Sequence, residues 1–487
     1  MIPIAQHLIE SNLRRLFWAY AAIVLVCVSA AVGFQMPLLL AIPFGLLVVF
    51  QAIVDYSKIF YILLATLPMS MEFNFTPSLG TDLPSEPLTV GLMLVFLAQM
   101  LSNSRGLRLL EVAKHPILLA LLAHFCWSGI ASYLSGMPIL SLKWMLAKFW
   151  YIVTFVWVAL EILRDEKSIK WFYWSYMPIL IATILWALVR HGATGFAFEA
   201  INPALRPWYR NHVNYAGLLS ISLPLLWYAK QWFPKSFWGS LFWLLPILLV
   251  FIGVQFSYTR AAYISIILGI GAYWVIRWRL MKITLFTISF FAFIGISYLV
   301  YDNNFLKLAP DFQTTVSQEN FNDLVAATSA GKDISTMERV NRWVAGGRMV
   351  GEKPFFGFGP SCFYTFYKKY SLASFRTYVS VNDEKSTVHC YFLLMAVEQG
   401  VPGFLIFTTL IFIFLLQSER IYHQTTDTNR RQIVLIAALS QVIAIGFLLI
   451  NDMVETDKLG SFFFLNMAIL INMDYLNKQE KMVRKRF

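Results

Sequence analysis

Charged residues are few: only 14% of the 487 residues are Asp, Glu, Lys or Arg, too small a share to hydrate the surface of a water-soluble fold of this length. Cysteine is rarer still, and four in so long a chain exclude a disulfide framework. Cys27 and Cys126 fall within apolar runs. Cys362 and Cys390 lie toward one common side, where a bridge and a pair of free buried thiols are both open. Recognisable cofactor motifs are missing as well. The chain has no GxxxxGK[ST], no HExxH, no CxxC and no Asp-x-Asp, and the GFG at 357–359 is too short for a nucleotide fingerprint. A phosphate-loop enzyme and a zinc protease are thereby excluded, and any transfer chemistry is expected to need neither metal nor cofactor. There is no internal repeat and no low-complexity tract.

Apolar residues take the place of charge: the chain is 58% hydrophobic and 16% aromatic, with a mean hydropathy of +0.62. About 20 such residues in a row cross a bilayer. Runs of this kind occupy residues 16–33, 37–55, 57–71, 87–102, 116–134, 144–163, 170–190, 213–229, 237–256, 261–277, 281–301, 389–416, 432–450 and 459–474. They predict an all-α, polytopic membrane helix bundle of about 12–14 spans. The start MIPIAQHLIESNLRRLFWAY has no small-residue cleavage site behind its apolar run, so the first span is expected to remain as an anchor. Residues 1–301 are then a helix bundle, 302–388 one long loop, and 389–487 the C-terminal helices with a basic tail.

Short-loop Lys and Arg set the orientation. Arg14, Arg15, Lys58, Arg105, Arg108, Arg164, Lys230, Arg277, Arg430, Arg431 and the tail KMVRKRF share one side if the spans alternate. That side is expected to be the cytoplasm, holding both termini. The net charge of +12 is explained by this retention signal facing anionic lipid, and no nucleic-acid partner is implied.

Some cations break the rule. The opposite-side loop EFNFTPSLGTDLPSEP has none, yet Lys143, Lys148, Arg190, Arg206, Arg210 and Arg260 lie at helix ends on that side. Arg260, in VQFSYTRAAYISIILG, would cost roughly 3 kcal/mol or more at the middle of a single span. The run from 237 to 278 is therefore read as two crossings with Arg260 at the turn. The long loop, far above ordinary connection length, is expected to be functional. Its first part, DFQTTVSQENFNDLVAATSAGKDIS, is polar. In TMERVNRWVAGGRMVGEKPFF the residues Met337, Val340, Trp343, Val344 and Met349 recur at helical spacing, which predicts a short helix across the outer mouth, ended by the Gly and Pro of EKPFFGFGPS.

Arg210, Arg260 and Arg339 come from three separate segments and can converge on one anion, for which the guanidinium fork suits phosphate oxygens. Diphosphate is the natural candidate, because chemistry on an outer membrane face commonly uses lipid-linked phosphosugars. Each arginine taken singly is more simply a snorkelling anchor at the headgroups. His389 stands where the long loop re-enters the membrane, and an imidazole there can accept a proton from a sugar hydroxyl; a lone histidine is more often a hydrogen-bonding or capping residue. His212 and Asn214, beside Arg210, can contact a phosphate or sugar, or Asn211 can cap the helix and Asn214 bond between helices. Tyr258 and Arg342 are further candidates for substrate contact. Glu398 is expected to pair within the bundle or to hold the turn at Gly400 and Gly403. The acidic stretch NDMVETDKLG, with Asp452, Glu455 and Asp457, offers metal or acceptor contacts but reads more simply as a solvated turn.

RNHVNYA at one helix start, SYTRAAY at another, then ERVNRWVAGGRMVGEKPFFGFGPSCF and VHCYFLLMAVEQGVPGF after a long loop resemble the O-antigen ligase and O-antigen polymerase superfamily. These segments span about residues 205–405. The most specific part is the order of an arginine four residues before Trp343, a Pro-x-x-Gly-x-Gly turn, and His389 followed by an acidic residue with glycines. Many members carry Asn after the histidine, where this chain has Cys390, a departure that bears on the fine geometry.

The resemblance implies a bacterial inner-membrane glycosyltransferase of GT-C type whose donor is an undecaprenyl-diphosphate-linked glycan and whose acceptor is a lipid A core sugar. It implies that the arginines at 210 and 260 hold the diphosphate, that Arg339 lies near the phosphates, and that His389 activates the acceptor hydroxyl. An O-antigen polymerase and a protein O-glycosyltransferase use the same donor and stay open. A lipid-linked glycan transporter is the alternative of another class, against which stands the lack of paired halves.

Overall fold

The computed structural model describes residues 2–76, 79–102, 109–309, 334–375 and 387–484. The polar stretch expected at the start of the long loop falls almost wholly outside the described residues, as do Arg105 and Arg108.

The chain is an all-α membrane bundle. Its helices are α1 (Ile2–Gly33), α2 (Ala41–Val54), α3 (Tyr56–Thr66), α4 (Ser85–Ser102), α5 (Pro116–Tyr133), α6 (Pro138–Ile152), α7 (Glu166–Gly192), α8 (His212–Tyr228), α9 (Phe237–Gln255), α10 (Arg260–Arg277), α11 (Met281–Val300), α12 (Ile334–Glu352), α13 (Tyr391–Gln424), α14 (Thr428–Leu448) and α15 (Asp457–Arg484). Ten of them, or the helices they continue into, are long and apolar enough to cross a membrane: α1, α5, α6, α7, α9, α10, α11, α13, α14 and α15. Helices α2, α3 and α4 are apolar but shorter, and α8 has 17 residues. Every apolar run in the sequence is thus a helix, though four fall short of a full crossing by length. Arg260 is the first residue of α10, at the turn after α9, as the cost of burying it mid-span requires.

α15 lies at the centre. It is buried without a break from Asp457 to Asn472 and on to Asp474, and it packs against α6, α8, α13 and α14. A helix apolar on all sides belongs inside a bundle. Its few polar side chains are paired: Asn472 Nδ2 donates to the carbonyls of Leu160 at 3.0 Å and Leu163 at 2.9 Å, and Asn466 bonds Gln441 at 3.2 Å. At the other extreme α11 turns Phe286, Phe291 and Phe293 outward, each more than 60% exposed, as a lipid-facing helix does.

Three features depart from expectation. The cation-free loop after α3 is a β-hairpin, β1 (Met71–Thr76) antiparallel to β2 (Leu79–Leu83). Period-two alternation of Met71 and Phe73 with Glu72 and Asn74 carried that signal, but Pro and Gly nearby read as loop. Second, α12 is 19 residues long rather than a short helix. Third, α6 passes into a buried π-helical turn, Val153–Val158, before finishing at Ile162; such turns are frequent at functional sites.

Candidate active site

The loop after α12 is built around a break in α13. Gly400 has φ +72 and ψ 178, so the helix kinks there. Pro402 has no N–H, which leaves the Glu398 carbonyl without its helical donor. Gly359 N–H supplies one at 2.8 Å. Val401 N–H turns away to Pro354 O at 2.7 Å, and the Val397 carbonyl it vacates accepts Phe358 N–H at 3.0 Å. The Glu398 carboxylate completes the join, accepting from Ser361 N–H at 2.8 Å and Phe363 N–H at 3.0 Å. Glu398 therefore holds the loop as well as the glycine turn. Glycine is needed at two of these places by contact: a Cβ on Gly359 (φ +102) would lie 1.9 Å from Ser135 Oγ, and one on Gly400 2.1 Å from Phe355 O. The Pro-x-x-Gly-x-Gly turn is thus a backbone clasp.

The clasp sets α12 beside the start of α13. A Cβ on Gly346 would lie 3.2 Å from both Val388 and Leu393, so the helices meet closely there. From α12, Arg342 donates through Nη1 to Thr387 O at 3.0 Å, with its guanidinium 5.9 Å from the Tyr367 ring centroid. His389 follows in the left-handed region, with φ +54. A non-glycine residue held there costs of order 1–3 kcal/mol and is characteristic of functional sites. Burial, then the charges of Arg339 and Arg342, push its imidazole down from 6.5 to about 3, against a side-chain hydrogen bond with Asn451. The ring is therefore neutral at ordinary pH.

Arg339 stands close enough to act on the His212 ring as well as on His389, so residues from α8, α12 and the start of α13 meet in one neighbourhood. Arg210 is turned to the hairpin: Nη2 lies 2.8 Å and Nε 3.0 Å from the Glu72 carboxylate. Glu72 and Asp82 face each other across the strands, a like-charge pairing that destabilises unless a cation offsets it. Arg210 does so, together with Lys458. Asp82 nevertheless rises from 3.8 to about 7, chiefly through burial and then the Asp457 charge. Thr259 Oγ1 donates to His212 O at 3.3 Å, which ties the half-buried Arg260 at the start of α10 to the start of α8.

The side chains of Asn211 and Tyr258 have structural work. The Asn211 side chain caps α8 by accepting Asn214 N–H at 2.9 Å, and Tyr258 hydroxyl donates to Phe196 O at 2.6 Å. His212 is itself held by Asn202, whose Oδ1 accepts its backbone N–H at 2.9 Å. Cys362 and Cys390 are both free thiols. Cys362 is buried between Ser135 at 3.4 Å and Ser141 at 3.6 Å.

The acidic stretch is not a solvated turn. Asn451, Asp457 and Lys458 are buried, and Glu455 accepts from Tyr391 hydroxyl at 2.6 Å, Trp144 Nε1 at 2.7 Å and Lys148 Nζ at 3.0 Å. Asp452 is raised above its ordinary value by burial, against a bond from Thr387, and faces Arg342. The sequence signal for these residues was only their clustering; partners more than 300 positions away in α6 cannot be read from spacing. Among the described residues, no three His, Cys, Asp or Glu side chains are arranged to hold a metal ion.

Part of this neighbourhood, namely α12, the clasp and His389, lies in a stretch that is similar to a known family, whereas Arg210, His212 and the turn at 451–458 lie outside it. Residues 245–408 match the family model described as O-antigen ligase. The match takes in α9 to the kink of α13, and therefore α12, the clasp and His389; the chain resembles the O-antigen ligase and polymerase superfamily. That resemblance supports a membrane enzyme acting on lipid-linked glycan. No curated protein matches the chain.

Proposed function

We propose that the chain is an O-antigen ligase, which moves a polysaccharide from undecaprenyl diphosphate onto a sugar hydroxyl of the lipid A core, at the periplasmic face of a bacterial inner membrane. The observation that carries this reading is the meeting of His389 with Arg339 and Arg342, beside a backbone clasp that the family match includes.

In the proposed reaction the acceptor oxygen attacks the anomeric carbon of the donor sugar. His389 takes the hydroxyl proton, and the bond from the anomeric carbon to the diphosphate oxygen breaks. Undecaprenyl diphosphate leaves as a stable anion and needs no general acid. Arg339, with Arg210 and Arg260 from the two adjoining helix starts, neutralises it, the electrostatic work that a metal would otherwise do. One displacement inverts the anomeric centre.

The depressed imidazole has a consequence for timing. A ring held at about 3 by burial first, and then by two guanidiniums, is ready to receive a proton but is a weak base. An anionic diphosphate arriving among the arginines cancels part of that field and raises the basicity of His389. Deprotonation of the acceptor is then favoured only with donor in place.

The test offers purified full-length protein a lipid-linked donor with lipid A core, a second donor molecule or a Ser/Thr peptide as separate acceptors. Glycan on lipid A core, with or without a chelator, is the expected result. Glycan only on the second donor makes the chain a polymerase, and glycan only on peptide makes it a protein glycosyltransferase. Donor movement across the membrane without transfer makes it a transporter.

A further inference from the structure

The turn between α14 and α15 lies outside the family match and outside the arginine set, yet it reaches His389. Its position is fixed from one side by Glu455, which takes three side-chain donors: Trp144 and Lys148 of α6 and Tyr391 of α13. Within the turn, Glu455 N–H donates to Asp452 O at 3.1 Å, and Met453 O accepts the Thr456 N–H at 3.1 Å and its hydroxyl at 2.8 Å. On the far side Asp452 bonds Thr387, two residues before the histidine. Asn451, only 7% exposed, meets the imidazole itself. Its Nδ2 is buried with no hydrogen-bond partner among the described residues.

We propose that Asn451 is a positioning residue of the reaction centre: its side-chain oxygen accepts the His389 ring N–H and so holds one tautomer, leaving the other ring nitrogen to take the acceptor proton. This rests on the proposed role of His389 as base. A neutral imidazole carries one donor and one acceptor nitrogen, and the bond made by the donor decides which nitrogen is the acceptor. The amide is suited to this because it does not ionise. A carboxylate in its place would bind the imidazolium and change the pH at which the ring titrates. Asn451 thus orients the base without adding charge beside an expected diphosphate.

Charged groups facing His389 are Arg339 and Arg342 of α12. Asp452 and Glu455 of the turn face Arg342 and Tyr391. Each must stay unchanged in the test.

Two variants of the full-length protein, Asn451→Leu and Asn451→Asp, separate the possibilities. For Asn451→Leu the expected result is a fall in kcat of about 10- to 100-fold at unchanged donor affinity, since proton transfer by a positioned group contributes 10²–10⁴-fold. Asn451→Asp is expected to recover part of kcat and to move the acid limb of the rate profile to higher pH by a unit or more. Equal pH profiles for the two variants, or a kcat for Asn451→Leu within twofold of the parent, would overturn the proposal. NMR titration of the His389 ring, assigned with His389→Gln, needs no turnover and keeps the test separate from the reaction assignment. Asn451→Asp is expected to raise its midpoint by at least a unit, and an unmoved midpoint refutes the contact even if the protein transfers no glycan. If Asn451→Leu does not fold, Asn451→Asp alone decides through that midpoint.

Discussion

Glu72 and Arg210 are joined across 2.8 Å, between the first strand of the hairpin and the residue two positions before α8. A carboxylate therefore occupies the guanidinium that is expected to grip a donor phosphate. Both side chains are well exposed, 44% and 62%, so the pair contributes only about 0–1 kcal/mol to stability and is readily exchanged.

Glu72→Gln is accordingly expected to leave thermal stability nearly unchanged and to tighten donor binding several-fold, read by equilibrium binding of a lipid-linked donor. Arg210→Ala should weaken the same binding by about 10- to 100-fold, the worth of a charge-assisted bond. Unchanged affinity in both variants removes Arg210 from the donor site.

The clasp makes a second set of expectations. Gly359→Ala forces a Cβ to within 1.9 Å of Ser135 Oγ at a φ of +102, and should destabilise by about 3 kcal/mol or more. Pro402→Ala restores an N–H that competes for the Glu398 carbonyl now taken by Gly359. It should cost less stability but loosen the loop, seen as faster amide exchange at Phe358 and Gly359. Exchange as slow as in the parent would show that the missing N–H is not what opens the join.

Much of this was readable from residue order, and the reasons divide cleanly. The helices followed from apolar runs, because a lipid environment requires every backbone group to be satisfied within its own segment. Arg260 at a helix start followed from the cost of a charge at mid-span. The glycines at 357, 359 and 400 announced special backbone, though not that Pro402 would open the helix to receive the loop. Asn451 and Asp82 were not legible as site residues, and Glu455 was legible only as one of an acidic cluster that read more simply as a solvated turn. Their roles depend on contacts with His389, α6 and Asp457, which lie far off in sequence and come together only through packing around α15. Arg210 was legible as a cation on the wrong side of a loop pattern, but its partner Glu72 was not, since the hairpin that presents it read as loop.

A pH dependence of stability follows from Asp82, whose carboxyl is raised from 3.8 to about 7. Between those values the folded state binds a proton that the unfolded chain has released, so stability falls as pH rises from about 4 to about 7. His389 acts in the opposite direction over a similar range. Held at about 3 against 6.5, it leaves the unfolded chain with more protons, and its contribution falls as pH drops through that window. Asp82→Asn should therefore remove the loss seen on raising pH toward 7, and His389→Gln the loss seen on lowering it. Thermal unfolding in detergent across pH 4–8 checks both signs. A variant whose unfolding profile keeps the parent's slope would contradict the corresponding assignment.

The central claim is that His389 takes the acceptor proton in a field set by arginines, and the most direct measurement pairs two readouts on His389→Ala. Transfer from a lipid-linked donor to lipid A core is expected to fall by at least about 100-fold, while donor affinity stays within about threefold of the parent. Transfer persisting near the parent rate would contradict the account, and so would donor binding lost in parallel with turnover.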